Sequence, residues 1–179
     1  MRRRLHEVSQ TWAVKEVMFR GGDVVDLEEL YRQDYAHLVG LADWVLGHRG
    51  LAEEMVQETF ARVLENPPRL QDPGSLGAYM RSAVLNRCRS RIRRLVLERK
   101  HARAGALQSH NADQPDTAVR DAVLQLPMRQ RQCVALRFYD DLTVDQIAEV
   151  LDISGGSVKT HLHRAMQSLG SVLGERTEQ

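Results

Sequence analysis

Residues 143 to 164, TVDQIAEVLDISGGSVKTHLHR, constrain the fold of this chain more than any other stretch, because they encode two helices and the tight turn between them. Thr143 can cap the opening turn while Gln146 reaches back to it, the reciprocal pattern that starts a helix. Val144, Ile147, Ala148 and Leu151 then fall on one face. Asp152 and Ile153 make the turn, Ser154 caps the next helix, and Val158, Leu162, Ala165 and Leu169 form its inner stripe. The small Ala148 lets the two helices cross closely, with Ile153 plugging the angle between them. The outer face of the second helix keeps Ser157, Lys159, Thr160, His161, His163 and Arg164, all donors suited to phosphates or base edges. A helical hairpin with a polar outside is the bland reading, and a helix-turn-helix that enters the DNA major groove is the sharper one. Asp152 stands where many such turns have Gly. Gly155 and Gly156 open the second helix, where missing side chains would let backbone N–H groups approach a phosphate.

The chain has 179 residues, enough for one ordinary domain or two small ones. No apolar run approaches the roughly 20 residues of a membrane span, and the start MRRRLHEVSQ lacks the apolar core of a secretory signal. A cytoplasmic protein is expected. Cys88 and Cys133 are far apart and lack neighbouring ligand pairs, so neither a zinc site nor a disulfide framework is expected. Cys88 follows Met80 and Val84 at helical spacing and reads as a buried thiol. The histidines His6, His37, His48, His101, His110, His161 and His163 form no HExxH pattern, and no phosphate-cradling glycine loop is present. No metal, no cofactor and no enzymatic activity are expected.

Net charge is only +1, but its distribution is uneven. Asp23, Asp26, Glu28, Glu29, Asp34, Asp43, Glu53, Glu54, Glu58 and Glu65 face only Arg32, Arg49 and Arg62 in the same segment. Arg81, Arg87, Arg89, Arg91, Arg93, Arg94, Arg99, Lys100 and Arg103 follow, opposed by Glu98. Two solvated faces that neutralise each other would explain this, as would two partners of opposite character, a basic protein surface and nucleic-acid phosphates. Crowding Arg87 to Arg94 into one segment favours the second, since those cations repel unless an anion intervenes.

The fold class is all-α, organised as two small helical domains. One helix carries Leu27, Leu30, Tyr31, Leu38, Leu41, Ala42 and Val45 and closes at Gly47. A second carries Leu51, Met55, Val56, Phe60, Val63 and Leu64 and must stop before Pro67 and Pro68. After a loop, Ser75 caps a long third helix with Met80, Val84, Cys88, Ile92 and Leu95 inward. These three share one core over residues 27–104. Residues 105–117, GALQSHNADQPDT, are polar and aperiodic and read as a flexible linker. Residues 118–174 form the second domain, with a short helix through Val119, Val123 and Leu126 stopped by Pro127, another with Val134, Leu136 and Phe138, and then the helix-turn-helix. Residues 175–179 are a tail, and residues 1–26 have no assignable role.

Three segments, LAEEMVQETFARVLEN at 51–66, YMRSAVLNRCRSRIRR at 79–94 and LPMRQRQCVALRFYDDLTVDQIAEVLDISGGSVKTHLHRA at 126–165, stand in the order found in bacterial sigma factors. The chain resembles the sigma-70 class, and in having only the second and fourth sigma regions it is similar to the extracytoplasmic-function group. The resemblance covers about Leu27 to Leu173. It implies that Glu53, Glu54, Gln57 and Glu58 dock on the clamp helices of the largest subunit of core RNA polymerase. It implies further that the third helix opens the minus-ten promoter element and holds a flipped base, with Leu70 in the wall of the pocket, Tyr79 at its aromatic edge and Asn86 on the strand. Arg87, Arg91 and Arg94 would then contact phosphates. Many relatives have Trp at the position of Tyr79, so stacking is weaker here, and Tyr79 as a plain core residue is the competing reading.

The same resemblance places the recognition helix in the minus-thirty-five major groove, with Lys159, Thr160, His163 and Arg164 on bases and nearby phosphates and Ser157 on the backbone. Lys159 lacks the bidentate fork that an Arg offers guanine. The helix from Met128 to Tyr139 would offer an apolar groove to the polymerase flap tip, or Val134 and Phe138 are ordinary core. An anti-sigma protein is a further implied partner. The rival reading is a stand-alone helix-turn-helix regulator, which would carry a receiver or ligand-binding domain in the first half. A linker of about thirteen extended residues reaches roughly 45 Å, so the two domains could stand on separate DNA elements.

Overall fold

The structure, a computed structural model, describes residues 16–18, 24–68, 70, 72, 74–101 and 117–177. Among them are seven helices: α1 (Leu27–Leu46), α2 (Arg49–Glu65), α3 (Ser75–His101), α4 (Thr117–Gln125), α5 (Met128–Phe138), α6 (Val144–Leu151) and α7 (Gly155–Thr177). One addition to the all-α expectation lies in the segment left without a role, where β1 (Glu16–Met18) pairs antiparallel with β2 (Val24–Asp26). Three-residue strands are too short to show an alternating pattern in sequence. The linker expected at 105–117 lies outside the described residues apart from Thr117, which already begins α4.

Local chemistry sets the helix ends. Glu28 and Glu29 occupy the first turn of α1, where carboxylates meet the positive end of the helix dipole, and Arg32 bridges both at 2.9 and 2.7 Å. Gly47 ends that helix in the left-handed region at φ +69°, its N–H returning to the Asp43 carbonyl at 2.8 Å. The His48 Nδ1 accepts the Leu51 N–H at 3.1 Å and caps α2, which Asn66 closes just before the two prolines. Ser75 differs from expectation. It is the first residue of α3, and its hydroxyl donates back to the Asp72 carbonyl at 2.6 Å instead of accepting an N–H ahead.

The first three helices bury Leu38, Leu41, Val45, Val56, Phe60, Met80, Val84 and Cys88 in one core. Burial lifts the Cys88 thiol to about 12, and Cys133 in α5 to about 11 despite the opposing pull of Arg129. Both cysteines are therefore neutral packing groups at physiological pH. In the second domain Thr143 and Gln146 form the reciprocal cap, and Asp152 takes the left-handed conformation at φ 51° and ψ 57°. Ser154 Oγ accepts the Ser157 N–H at 3.1 Å, as expected of the second cap.

The two domains do not stand apart. The main core runs continuously from α1, α2 and α3 into Leu136, Ile147, Leu151 and Val158. Gln132, fully buried, donates to the Leu85 carbonyl at 3.1 Å, and Arg131 donates to the Val45 carbonyl at 2.7 Å. Asp140, at the end of α5, has a side chain only 1% exposed that accepts from Arg81 Nε at 2.6 Å and pairs with His37. Arg120 of α4 lies 2.8 Å from Asp43 of α1, a charge contact without hydrogen-bond alignment at that carboxylate oxygen. Gly40 is what permits the closest approach, because a Cβ there would collide with the Tyr139 hydroxyl, and the Tyr139 ring stacks on His37 at 5.0 Å. Independent modules on a tether were expected. The three-helix core alone leaves the apolar faces of α1 and α3 open, and α5 and α6 cover them.

Candidate nucleic-acid interface

The acidic face of α2 is built on an aromatic ladder. Phe60 is fully buried and meets Tyr31 edge-on at 5.0 Å, Tyr31 lies against Tyr35 at 4.6 Å, and the Tyr35 hydroxyl accepts from the Gln57 amide at 3.2 Å. Burial, and then the neighbouring Tyr35, push the Tyr31 phenol up to about 12, so it stays neutral. The ladder fixes Gln57 at the surface. Glu53 is partly held by Arg49 at 3.3 Å and Glu58 accepts from Arg87 at 2.6 Å. Glu54 is exposed, and among the described residues no hydrogen bond or ion pair engages it. The sequence singles out the four polar residues but not the tyrosines packed beneath them, since α1 and α2 meet only in three dimensions.

Between α2 and α3 lies a groove of about 290 Å³, lined by Thr59, Arg62 and Val63 on one side and by Tyr79, Ala83, Asn86, Arg87 and Ser90 on the other. Tyr79 is half-buried, packed against the core and at the same time lining the groove. Asn86 is exposed beside it, with Ser82 at 3.5 Å as a weak partner. Leu70 is not part of this lining and rests half-buried against the core. Arg91 is half-buried with an unpartnered Nε, and Arg94 is exposed beyond the groove. The arginine run is thus only partly free, since Arg81 is spent on Asp140 and Arg87 on Glu58.

On α7, Lys159, Thr160, His163 and Arg164 are all exposed and Ser157 is half-buried beside the cap. The Thr160 hydroxyl donates to the Gly156 carbonyl at 2.9 Å, and Gln167 extends the same exposed face one turn further. Val158 and Ala165 are fully buried on the opposite side, so the amphipathic reading of this helix holds. His161 differs from His163 in being half-buried, with an unpartnered Nδ1. Phe138 does not join the core as Val134 does; the residue is 65% exposed at the end of α5. Among the described residues no cluster of His, Cys, Asp or Glu is arranged to hold a metal, and no helix is long and apolar enough to cross a membrane.

This arrangement coincides with known sequence families. Residues 30–96 match sigma-70 region 2, and residues 116–169 match sigma-70 region 4. The chain is a sigma factor of the sigma-70 family, in its extracytoplasmic-function group. The RNA polymerase sigma-E factor of Streptomyces antibioticus is 27% identical over 161 residues, which are 87% of this chain and 88% of that protein. The ECF RNA polymerase sigma factor SigK of Mycolicibacterium vanbaalenii is 28% identical over 160 residues, 80% of each chain. In fold the sigma factor resembles RpoE of Bartonella quintana, solved with the anti-sigma factor NepR, at a TM-score of 0.70 and 19% identity over 83% of this chain and 97% of that one. Region 2 comprises α1 to α3 and region 4 comprises α4 to α7. As a member of this family the sigma factor directs promoter-specific transcription.

Proposed function

We propose that the sigma factor grips core RNA polymerase through Glu53, Glu54, Gln57 and Glu58 on α2 and reads promoter DNA with α3 and α7. The observation that carries this reading is the acidic face of α2, where an outward amide is anchored by buried rings beside the unengaged carboxylate of Glu54. Such a face suits a basic, polar groove on a protein partner, and a stand-alone regulator has no use for it. On α3, Tyr79 offers a ring for stacking and Asn86 an amide for a base edge of the minus-ten strand, with Arg91 and Arg94 toward phosphates. Leu70 supports the wall of that site from the core. Arg87 reaches the strand only by exchanging Glu58 for a phosphate.

On α7, Lys159, Thr160, His163 and Arg164 meet the minus-thirty-five duplex, with Ser157 on its backbone. Phe138, exposed at the end of α5, offers an apolar contact to the flap tip. The two regions stand on separate promoter elements, so the docked arrangement must open during initiation. The sigma factor supplies no catalytic group, and bond formation belongs to the polymerase. It works in the cytoplasm, joining the nucleoid through the enzyme. An anti-sigma factor is a proposed partner, because solved relatives were obtained with one.

A pull-down with core polymerase followed by run-off transcription on genomic fragments tests the whole reading. Retention on core and new start sites are expected. Duplex binding without polymerase, with core still unable to initiate, would favour a stand-alone regulator.

The start of α7 gives a second test. Neither Gly155 nor Gly156 has positive φ, and a Cβ on Gly156 would meet nothing nearer than Ser154 Oγ at 3.8 Å, so the fold does not require glycine there. Gly156→Ala is expected to raise the thermal midpoint, since Ala is favoured in helices by up to about 1 kcal/mol. If DNA phosphates close on the helix start, the same change lowers minus-thirty-five duplex affinity by about tenfold, the worth of one charge-assisted hydrogen bond. Equal affinity in both proteins would remove the glycine pair from the DNA interface.

A further inference from the structure

The groove between α2 and α3 contains a cation that the sequence left unassigned. Arg62 lines it from α2, opposite Tyr79 and Asn86, and its side chain is exposed with no acidic partner among the described residues. Arg87 lines the same groove but is 22% exposed and bound to Glu58 at 2.6 Å. The two guanidinium groups are therefore not equivalent toward an incoming anion. For Arg87 to take a phosphate, Glu58 must be left uncompensated close to that phosphate, which opposes the exchange. Arg62 has no carboxylate to abandon.

The remaining lining narrows the ligand. Tyr79 supplies a ring, Asn86 an amide and Ser90 a hydroxyl, and about 290 Å³ admits a single base with its sugar but no duplex. An aromatic surface, a hydrogen-bonding amide and a free cation within one groove are the components of single-strand recognition. We propose that Arg62 is the phosphate-binding residue of this groove, which takes one unstacked nucleotide of single-stranded DNA with its base on Tyr79 and Asn86. The proposal rests on reading α3 as the strand-binding helix and adds to it a residue from the polymerase-docking helix. The competing role for Arg62 is a cation in the last turn of α2 that complements the helix dipole, which predicts an effect on stability alone.

The test uses the full chain bound to core polymerase, with core alone as background, and a fluorescein-labelled random-sequence single-stranded DNA of roughly twelve nucleotides as probe. Arg62→Ala is expected to reduce the slope of log affinity against log salt by about 0.7, one phosphate contact on a single strand, and to weaken binding several-fold. Arg62→Lys should keep most of the slope, because a point charge still meets a phosphate. An unchanged slope in Arg62→Ala overturns the assignment, and so does a loss confined to the thermal midpoint or to core affinity. Failure of the unsubstituted sigma factor to bind the probe above background would instead overturn the strand-binding reading of α3 itself.

Discussion

Glu54→Lys is expected to weaken association with core RNA polymerase by roughly 100-fold or more, with helix content and thermal midpoint nearly unchanged. The asymmetry follows from the position of Glu54. It is exposed in the middle of α2 and has no intramolecular partner among the described residues, so its charge contributes little to the fold. Placed against a cationic partner, a reversed charge costs several kcal/mol, and each 1.4 kcal/mol is about tenfold. Glu54→Gln should fall between the two, which separates loss of attraction from repulsion. Glu58 is a poorer choice for this test, because reversal there frees Arg87 from its 2.6 Å partner and sets a second cation beside it. Docking and groove would then change together. Co-elution or anisotropy with core polymerase over a salt series reads the effect, and a Glu54→Lys protein of undiminished affinity would remove α2 from the docking surface.

Asp140→Asn should loosen the docking of region 4 on region 2. The Asp140 carboxylate is almost fully buried and holds Arg81 and His37 at once, so it ties α3 and α1 to the end of α5. Removing one partner of a buried pair costs about 3–5 kcal/mol when the other is stranded without water. Here the Arg81 and His37 side chains are 26% and 39% exposed and recover some hydration, which brings the expected loss down to about 2 kcal/mol. For a chain of this length that is a fall of about 4–8 °C in thermal midpoint. Solution scattering should also report a larger radius of gyration, which a purely local defect would not produce. If midpoint and radius both stay fixed, the ion pair does not hold the regions together.

What could be read in advance was whatever nearby residues decide. Thr143 with Gln146, Asp152 in its left-handed turn and the Val158–Ala165–Leu169 stripe are interactions within a few residues, and each appears as expected. Gly47 and the proline pair ended their helices for equally local reasons. The partner of Arg87 was hidden because Glu58 lies 29 residues away, so a crowded arginine run looked wholly available when part of it is neutralised. The ladder from Phe60 through Tyr31 to Tyr35 was hidden likewise, being a contact between helices. Docking of the two regions depends on Gly40 meeting Tyr139 and on Gln132 reaching Leu85, and separations of that order leave no periodic trace. Leu70, which the resemblance puts in the pocket wall, is partly buried against the core, a contact that its own neighbours in sequence do not announce.

The missing side chain at Gly40 has a consequence for dosage. By allowing Tyr139 to seat against α1, it favours the docked form over one in which the regions stand apart on the two promoter elements of the proposed function. If only the undocked fraction engages both elements, the apparent dissociation constant rises by the inverse of that fraction. A bias of about 1.4 kcal/mol toward the seated form raises the threshold concentration about tenfold. On that reading, the absent methyl group at Gly40 bears on the concentration at which the promoter elements fill.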